Sequence, residues 1–443
     1  MKLKHSLEQG ACVVRPSGPL QGRIRVPGDK SISHRAVMLG AMAQGKTRIQ
    51  GFLESDDCIA TLKAFERMGV LSARDGNDFL IQGAGANGLQ EPDDVLDMGN
   101  SGTGSRLLLG VLAGQPFTAV LTGDASLRSR PMARVTNPLS EMGARFMGRQ
   151  DGALLPMTVK GGGLKAIQYH SPVASAQIKS AILLAGLFAD GVTTIHEPGP
   201  SRDHTERMLQ SFGVDVKCEP GAASLQGGQA LQARTIEVPG DISSAAFFMV
   251  AASVLPESDL FIEGVGVNPT RTGILETLQE MGADISIENE RIMGAEPAAD
   301  IRVRHSELRG VRISGDVVVR MIDEFPIFAV AAAYATSESV VEGAEELRVK
   351  ESDRITAVVN QLKRMGAELS ETPDGFSVAG GGGLRGAEVM SLGDHRIAMS
   401  AAIAGLAAQG DTHIQGTAPI ATSFPNFFEL MNLLQPGCIE VMP

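Results

Sequence analysis

Polar and apolar stretches follow one another along this chain in a fixed order, written six times. Each copy opens on a Ser- or Gly-rich polar loop, passes into an Ala-rich apolar run read as a helix, and closes with a short β-branched strand ending on glycine. The closing strands are TRIQG, TAVLTG, TTIHEPG, LFIEG, SVVEG and THIQG, ending at Gly51, Gly123, Gly199, Gly264, Gly343 and Gly416. A second polar loop follows each strand. In most copies it leads into an amphipathic helix. In the first copy Ile59, Leu62, Phe65 and Met68 fall three apart, on one helical face. These second helices end in Met-Gly or Phe-Gly at Gly69, Gly143, Gly213, Gly282 and Gly366, where glycine suits a C-cap. The sixth copy blurs near Met431. The unit is helix, strand, helix, strand, strand, in roughly 70 residues, which is a compact supersecondary unit and not a solenoid coil.

Three glycine-rich stretches need a separate reading. "GAGANG", Gly83 to Gly88, follows the strand-like FLIQ but opens no clear helix, so it makes a poor dinucleotide fingerprint. "KGGG" and "GGGG" (Gly380 to Gly383) lie between strand-like segments and are expected to be hairpin turns.

At 443 residues the chain exceeds one ordinary core, so two or three domains are expected. Hydrophobic residues at 43% and charged residues at 20% fit a soluble globular protein. The net charge of -12 argues against nucleic-acid binding, which needs a basic face, and requires any anionic ligand to be met by a local cluster of Lys and Arg. Cys12, Cys58, Cys218 and Cys438 are far apart and read as free thiols; no His/Cys cluster, HExxH or P-loop appears, so neither metal nor cofactor is expected. No apolar run reaches the ~18 residues of a membrane span, and the start lacks a signal-peptide core. A cytoplasmic location follows as the expectation.

The chemistry concentrates in the opening loops: PGDKSISHR, MGNSGTGSR, SPVASAQIKS, VPGDISSAAF, MIDEFPIF and SLGDHRIAM. Each precedes an apolar helix, whose free N–H groups make a ready anion site. Ser, Asp and Asn at such places also serve simply as caps. Capping does not explain a long cation in four of the six. Lys30, Arg35, Arg106, Lys179 and Arg396 stand in these loops or the first helical turns; Arg128, Arg130, Arg202, Lys350 and Arg354 stand in the loops after the strands. A cation at a helix N-terminus is unfavourable unless an anion joins it. Asp323 in "IDEF" and Glu351 in "RVKESDR" lie among these cations, where a carboxylate stays ionised and can act as a base.

These loops carry a resemblance. "VPGDKSISHRA", "DMGNSGTGSRLL", "LTGDASLRSRPM", "SAQIKS", "RDHTERML", "IDEFP", "LRVKESDR", "GDHRIAM" and "TSFPNF", in this order from Gly22 to Phe428, resemble the 5-enolpyruvylshikimate-3-phosphate (EPSP) synthases, the 3-phosphoshikimate 1-carboxyvinyltransferases, in their bacterial form. The resemblance implies a two-domain inside-out α/β barrel of six βαβαββ repeats, three per domain. Its chain crosses twice, near Pro27–Gly28 and Pro239–Gly240, where "VPGD" recurs. Residues 1–27 with 240–443 would form one domain and 28–239 the other, with the active site in the cleft between them and closure around the ligands.

It further implies transfer of the enolpyruvyl group of phosphoenolpyruvate to the 5-hydroxyl of shikimate 3-phosphate, without a cofactor, by a monomer inhibited by glyphosate. Carried over by position, Lys30, Ser31, Arg35, Ser175, Ala176, Gln177, Arg202, Asp323 and Lys350 would hold shikimate 3-phosphate. Lys30, Asn100, Gly102, Arg130, Gln177, Glu351, Arg354 and Arg396 would surround phosphoenolpyruvate, with Asp323, Glu351 and Lys30 catalytic. Many relatives have Lys where this chain has Thr422, so Thr422 is left out of the site. Gly102 lacks the Cβ that crowds the glyphosate pocket, so ordinary sensitivity is expected. The sister enzymes that use UDP-N-acetylglucosamine typically place a Cys in the loop corresponding to GDASLRSRP and an Asn where Ser31 stands; this chain has neither. A non-catalytic anion-binding protein on the same repeats is the other alternative, which retention of both Asp323 and Glu351 disfavours.

Overall fold

The computed structural model describes residues 10–442. It contains six four-stranded sheets of one design. In one of them Leu96–Asp97 pairs in parallel with Thr118–Thr122, which pairs antiparallel with Leu154–Lys160, whose far side carries Arg145–Arg149 as a hairpin partner. The repeat anticipated above is therefore present, with a short parallel edge strand added at its front.

The six opening helices are Lys30–Met42, Gly102–Ala113, Ala176–Gly186, Ile242–Val254, Phe325–Tyr334 and His395–Leu406. They are apolar nearly all round; Ile242–Val254 is buried at every position. Such a helix belongs inside a core. The second helices are amphipathic, as in Arg354–Arg364, and Gly69 ends the first of them at φ 86°, a backbone geometry that L side chains rarely take.

The chain divides into two compact units: one runs up to Pro27, then Gly240–Arg291 and onward from Pro297; the other comprises Gly28–Pro239 with Ile292–Glu296. Each has its own hydrophobic core and three of the sheets. Each unit also takes up its own chain ends. Thr235–Glu237 lies parallel to Gln44–Gln50 in the second unit. In the first, Ala11–Val14 is sandwiched between Thr412–Gln415 and Ile439–Met442. At the crossings the Asp29 N–H donates to the Pro239 carbonyl (2.8 Å), and the Asp241 N–H donates to the Pro27 carbonyl (2.9 Å). Gly28 is required there, because a Cβ would fall 2.0 Å from the Gly51 carbonyl oxygen.

The glycine-rich stretches differ from expectation. Gly380 to Gly383 joins Gly375–Val378 to Glu388–Met390, which lie in different sheets, and the true hairpin is Leu369–Thr372 with Gly375–Val378. Gly161 to Gly163 likewise links two sheets. The first glycine of each connector answers a close approach, while those after it mostly take left-handed backbone, as at Gly162, Gly163, Gly381 and Gly383. A Cβ at Gly83, Gly161 or Gly380 would lie 2.1, 2.3 or 2.5 Å from the Ala43, Leu112 or Ala335 carbonyl oxygen, at the end of an opening helix. Among the described residues no helix is long and apolar enough to cross a membrane.

Candidate active site

In the second unit, Asp29 caps the Lys30 helix by accepting from the Ile32 N–H (2.9 Å), and Lys30 itself pairs with Asp57 at 2.9 Å. Arg35 is buried one turn on. Its guanidinium donates to Thr205 Oγ1 (2.6 Å), Ser180 Oγ (2.7 Å) and the Ser31 carbonyl (2.8 Å). Burial pushes its pKa down to about 10, against the pull of Glu206. His34, on the same helix, contacts Thr61 Oγ1 at 2.8 Å and Ser101 Oγ at 3.4 Å. Burial, then Lys30 and Arg35, hold its pKa well below the ordinary value, so it is neutral.

A second group gathers around the Gly102 helix. Ser101 caps it by accepting from the Gly104 N–H (3.0 Å). Arg130 donates to Asn100 Oδ1 (2.7 Å) and the Asn100 carbonyl (3.3 Å), while the Asn100 amide donates to Asp124 (2.7 Å). Arg106 donates to Gln177 Oε1 (2.9 Å), and the Gln177 amide donates to Thr103 Oγ1 (3.1 Å). Asn100, Gly102, Arg130 and Gln177 thus meet, joined by Arg106. Ser175 and Ala176 begin the neighbouring helix, and Arg202 stands on the loop after Val192–His196. Lys179, which the sequence suggests is a cation awaiting an anion, already has two: Glu197 at 2.9 Å and Glu206 at 2.8 Å, all three side chains buried. Burial disfavours its charge, but Glu206 and Glu197 outweigh this and raise its pKa above the ordinary value.

In the first unit, Arg354 is the hub. Only 2% exposed, it donates to Asp394 Oδ2 (2.8 Å), Glu351 Oε2 (2.6 Å) and Asp323 Oδ1 (3.3 Å). Burial works against its charge, and the three carboxylates, Asp394 foremost, hold it above the usual arginine range. Lys350 lies 3.9 Å from Asp323; its pKa is lowered by burial, which Asp323 only partly offsets. Asp394 caps its helix by accepting from the Arg396 N–H (2.9 Å), and the Arg396 side chain lies 3.8 Å from buried Glu324. Asp323, Lys350, Glu351, Arg354 and Arg396 are thus assembled within one unit.

Sequence reasoning missed Asp57, Glu197, Glu206, Glu324 and Asp394, carboxylates that hold the cations. Asp394 alone left a signal, an Asp just before a helix that opens His-Arg. Among the described residues no group of three His, Cys, Asp or Glu is placed to hold a metal. Thr422 closes a short 3-10 turn by donating to the Pro419 carbonyl (2.7 Å).

Six repeated α/β modules, with cations and acids gathered at the helix starts, define an enzyme class built for anionic ligands and proton transfer. The comparisons with known proteins specify it. Residues 14–431 match the family model "EPSP synthase (3-phosphoshikimate 1-carboxyvinyltransferase)". A 3-phosphoshikimate 1-carboxyvinyltransferase of Desulforamulus reducens is 55% identical over 95% of this chain and 98% of its own, and one of Citrifermentans bemidjiense is 56% identical over 94% and 97%. The solved EPSP synthase of Acinetobacter baumannii superposes with a TM-score of 0.88 at 49% identity, covering 98% of this chain and all of that one. The chain belongs to the EPSP synthase family and is an enzyme.

Proposed function

We propose that the two clusters serve one reaction, transfer of the enolpyruvyl group of phosphoenolpyruvate to the 5-hydroxyl of shikimate 3-phosphate in the shikimate pathway. The observation that carries this reading is the Arg354 hub: two carboxylates, Asp323 and Glu351, stand on one guanidinium with Lys350 beside them. Anion binding alone needs no acids there.

In the addition step the substrate hydroxyl gives its proton to Asp323, and its oxygen bonds to C2 of phosphoenolpyruvate. The methylene carbon gains a proton from Glu351 or Lys30, forming the tetrahedral intermediate. In the elimination step the new methyl group returns a proton to the group that supplied it, the C2–O bond to phosphate breaks, and phosphate leaves with the proton that Asp323 had taken. Arg130, Arg354 and Arg396 stabilise phosphate and carboxylate charge throughout. Lys30, Asn100, Gly102 and Gln177 complete the phosphoenolpyruvate side. Ser31, Arg35, Ser175, Ala176, Gln177, Arg202 and Lys350 hold shikimate 3-phosphate. The reading also places the enzyme in the cytoplasm as a monomer, inhibited by glyphosate with ordinary sensitivity because Gly102 has no Cβ.

The test is phosphate release from phosphoenolpyruvate. Release that depends on shikimate 3-phosphate supports the reading. Release only with UDP-N-acetylglucosamine, or with neither acceptor, overturns it. Weak glyphosate inhibition at matched phosphoenolpyruvate overturns the sensitivity alone.

A further inference from the structure

We propose that Glu197 is a positioning residue for the shikimate 3-phosphate side, holding two separate loops in register through its ion pair with Lys179. The inference rests on the functional reading above. Glu197 directly follows the strand Val192–His196, and its side chain is only 5% exposed, with both carboxylate oxygens engaged by the protein. Its two oxygens are divided between two loops. Oε1 accepts the Ser175 N–H at 3.0 Å, at the threshold of the Ala176–Gly186 helix. Oε2 accepts the Ser201 hydroxyl at 2.9 Å, one residue before Arg202. Ser175, Ala176 and Gln177 at the start of that helix and Arg202 on the other loop are the groups assigned to the same ligand.

Lys179 closes the arrangement from below. Its ammonium lies 2.9 Å from Glu197 Oε2 and 3.5 Å from the Ser201 carbonyl, and it also pairs with Glu206 at 2.8 Å on the helix His204–Ser211. That helix also supplies Thr205, whose hydroxyl meets both Arg35 and Ser180. A buried carboxylate is tolerable only with such a partner, and a buried hydrogen-bonded pair fixes geometry closely. The pair therefore sets the spacing of the two loops. Neither of its members touches the Asn100–Arg130 cluster in any hydrogen bond described above.

The experiment is steady-state kinetics with both substrates varied, on the wild type, Glu197→Ala and Glu197→Gln, with thermal unfolding of each. Removing a charge-assisted buried hydrogen bond should raise KM for shikimate 3-phosphate roughly 10- to 100-fold in Glu197→Ala, with KM for phosphoenolpyruvate and kcat changed less than about threefold. Glu197→Gln retains one acceptor oxygen and should fall between it and the wild type. A purely structural role would lower the melting temperature and move both KM values together, or neither; either result overturns the proposal. If Glu197→Ala does not fold, the same split in Glu197→Gln decides. A wild type with no release dependent on shikimate 3-phosphate would instead refute the underlying functional reading, so the two failures are distinguishable.

Discussion

Asp323, partly buried beside cations, and His34, fully buried, each make a separate prediction. Asp323 lies beside two cations, Arg354 at 3.3 Å and Lys350 at 3.9 Å, where a carboxylate can serve as a base. Asp323→Asn keeps the shape and removes the base. It should lower kcat by about 10²- to 10⁴-fold while the melting temperature stays close to wild type; retained turnover would exclude Asp323 as the base. His34 is held neutral by burial between Thr61 and Ser101. Its folded pKa lies below the unfolded value of 6.5, so the unfolded chain binds the extra proton. The stability it contributes is complete above pH 6.5 and declines as pH falls below it. His34→Asn should flatten this acid decline in melting temperature. An identical slope in both proteins would show that His34 does not titrate there. Sequence made the cations legible at this scale but not their fates. Lys179 and Lys350 look alike as lysines near polar loops, yet one is neutralised by Glu197 and Glu206 and the other is lowered by burial, which Asp323 only partly offsets. Partners that far away along the chain leave no local trace.

Four of the six opening helices begin with a side-chain cap, from Asp29, Ser101, Asp241 and Asp394, and some of these caps also organise charge. Asp394 is the clearest case: fully buried, it caps through the Arg396 N–H and also accepts from Arg354 and Ser352. Asp394→Ala removes a cap and a partner of a buried guanidinium together, and should cost about 3–5 kcal/mol in chemical denaturation. A loss below about 1 kcal/mol would mean that Glu351 and Asp323 suffice to hold Arg354. At the start of the Gly102 helix the constraint is space. A Cβ on Gly102 would lie 3.0 Å from Arg130 Nη1 and 3.3 Å from Arg106 Nη1, so the guanidinium groups must shift by a few tenths of an ångström. Gly102→Ala should weaken glyphosate inhibition and raise KM for phosphoenolpyruvate a few-fold; unchanged inhibition at matched substrate would separate this glycine from the inhibitor pocket. The six helices and their strands were legible because a long Ala-rich apolar run and a short β-branched strand differ in composition and length. The glycine connectors were misread because glycine marks both tight turns and close approaches, and only the carbonyl oxygens at the helix ends distinguish them.

At the scale of the molecule, each unit has its own core, its own three sheets and its own chain ends paired inside it. Residues 28–239 should therefore fold alone. The fragment lacks Glu296, which lies 2.8 Å from His204 Nδ1 with both side chains buried. It should unfold cooperatively but at a lower midpoint than the same unit in the whole chain, and restoring Glu296 on an appended segment should recover part of the difference. A fragment without a cooperative transition would show that the second unit depends on the first. The attachment of Ile292–Glu296 to the second unit was not legible in the sequence, since nothing in a hairpin turn announces which core receives it.

The hydrogen bonds from Asp29 to Pro239 and from Asp241 to Pro27 bring the two ends of the inserted segment side by side. A segment whose entrance and exit adjoin can be lifted from its host and replaced without stretching either remainder. The two Pro-Gly junctions are thus natural seams for chimeras, in which one half of this enzyme is exchanged with that of a relative. Swapping at those seams, with the 292–296 turn taken from the same donor, would let the traits of each half be inherited separately.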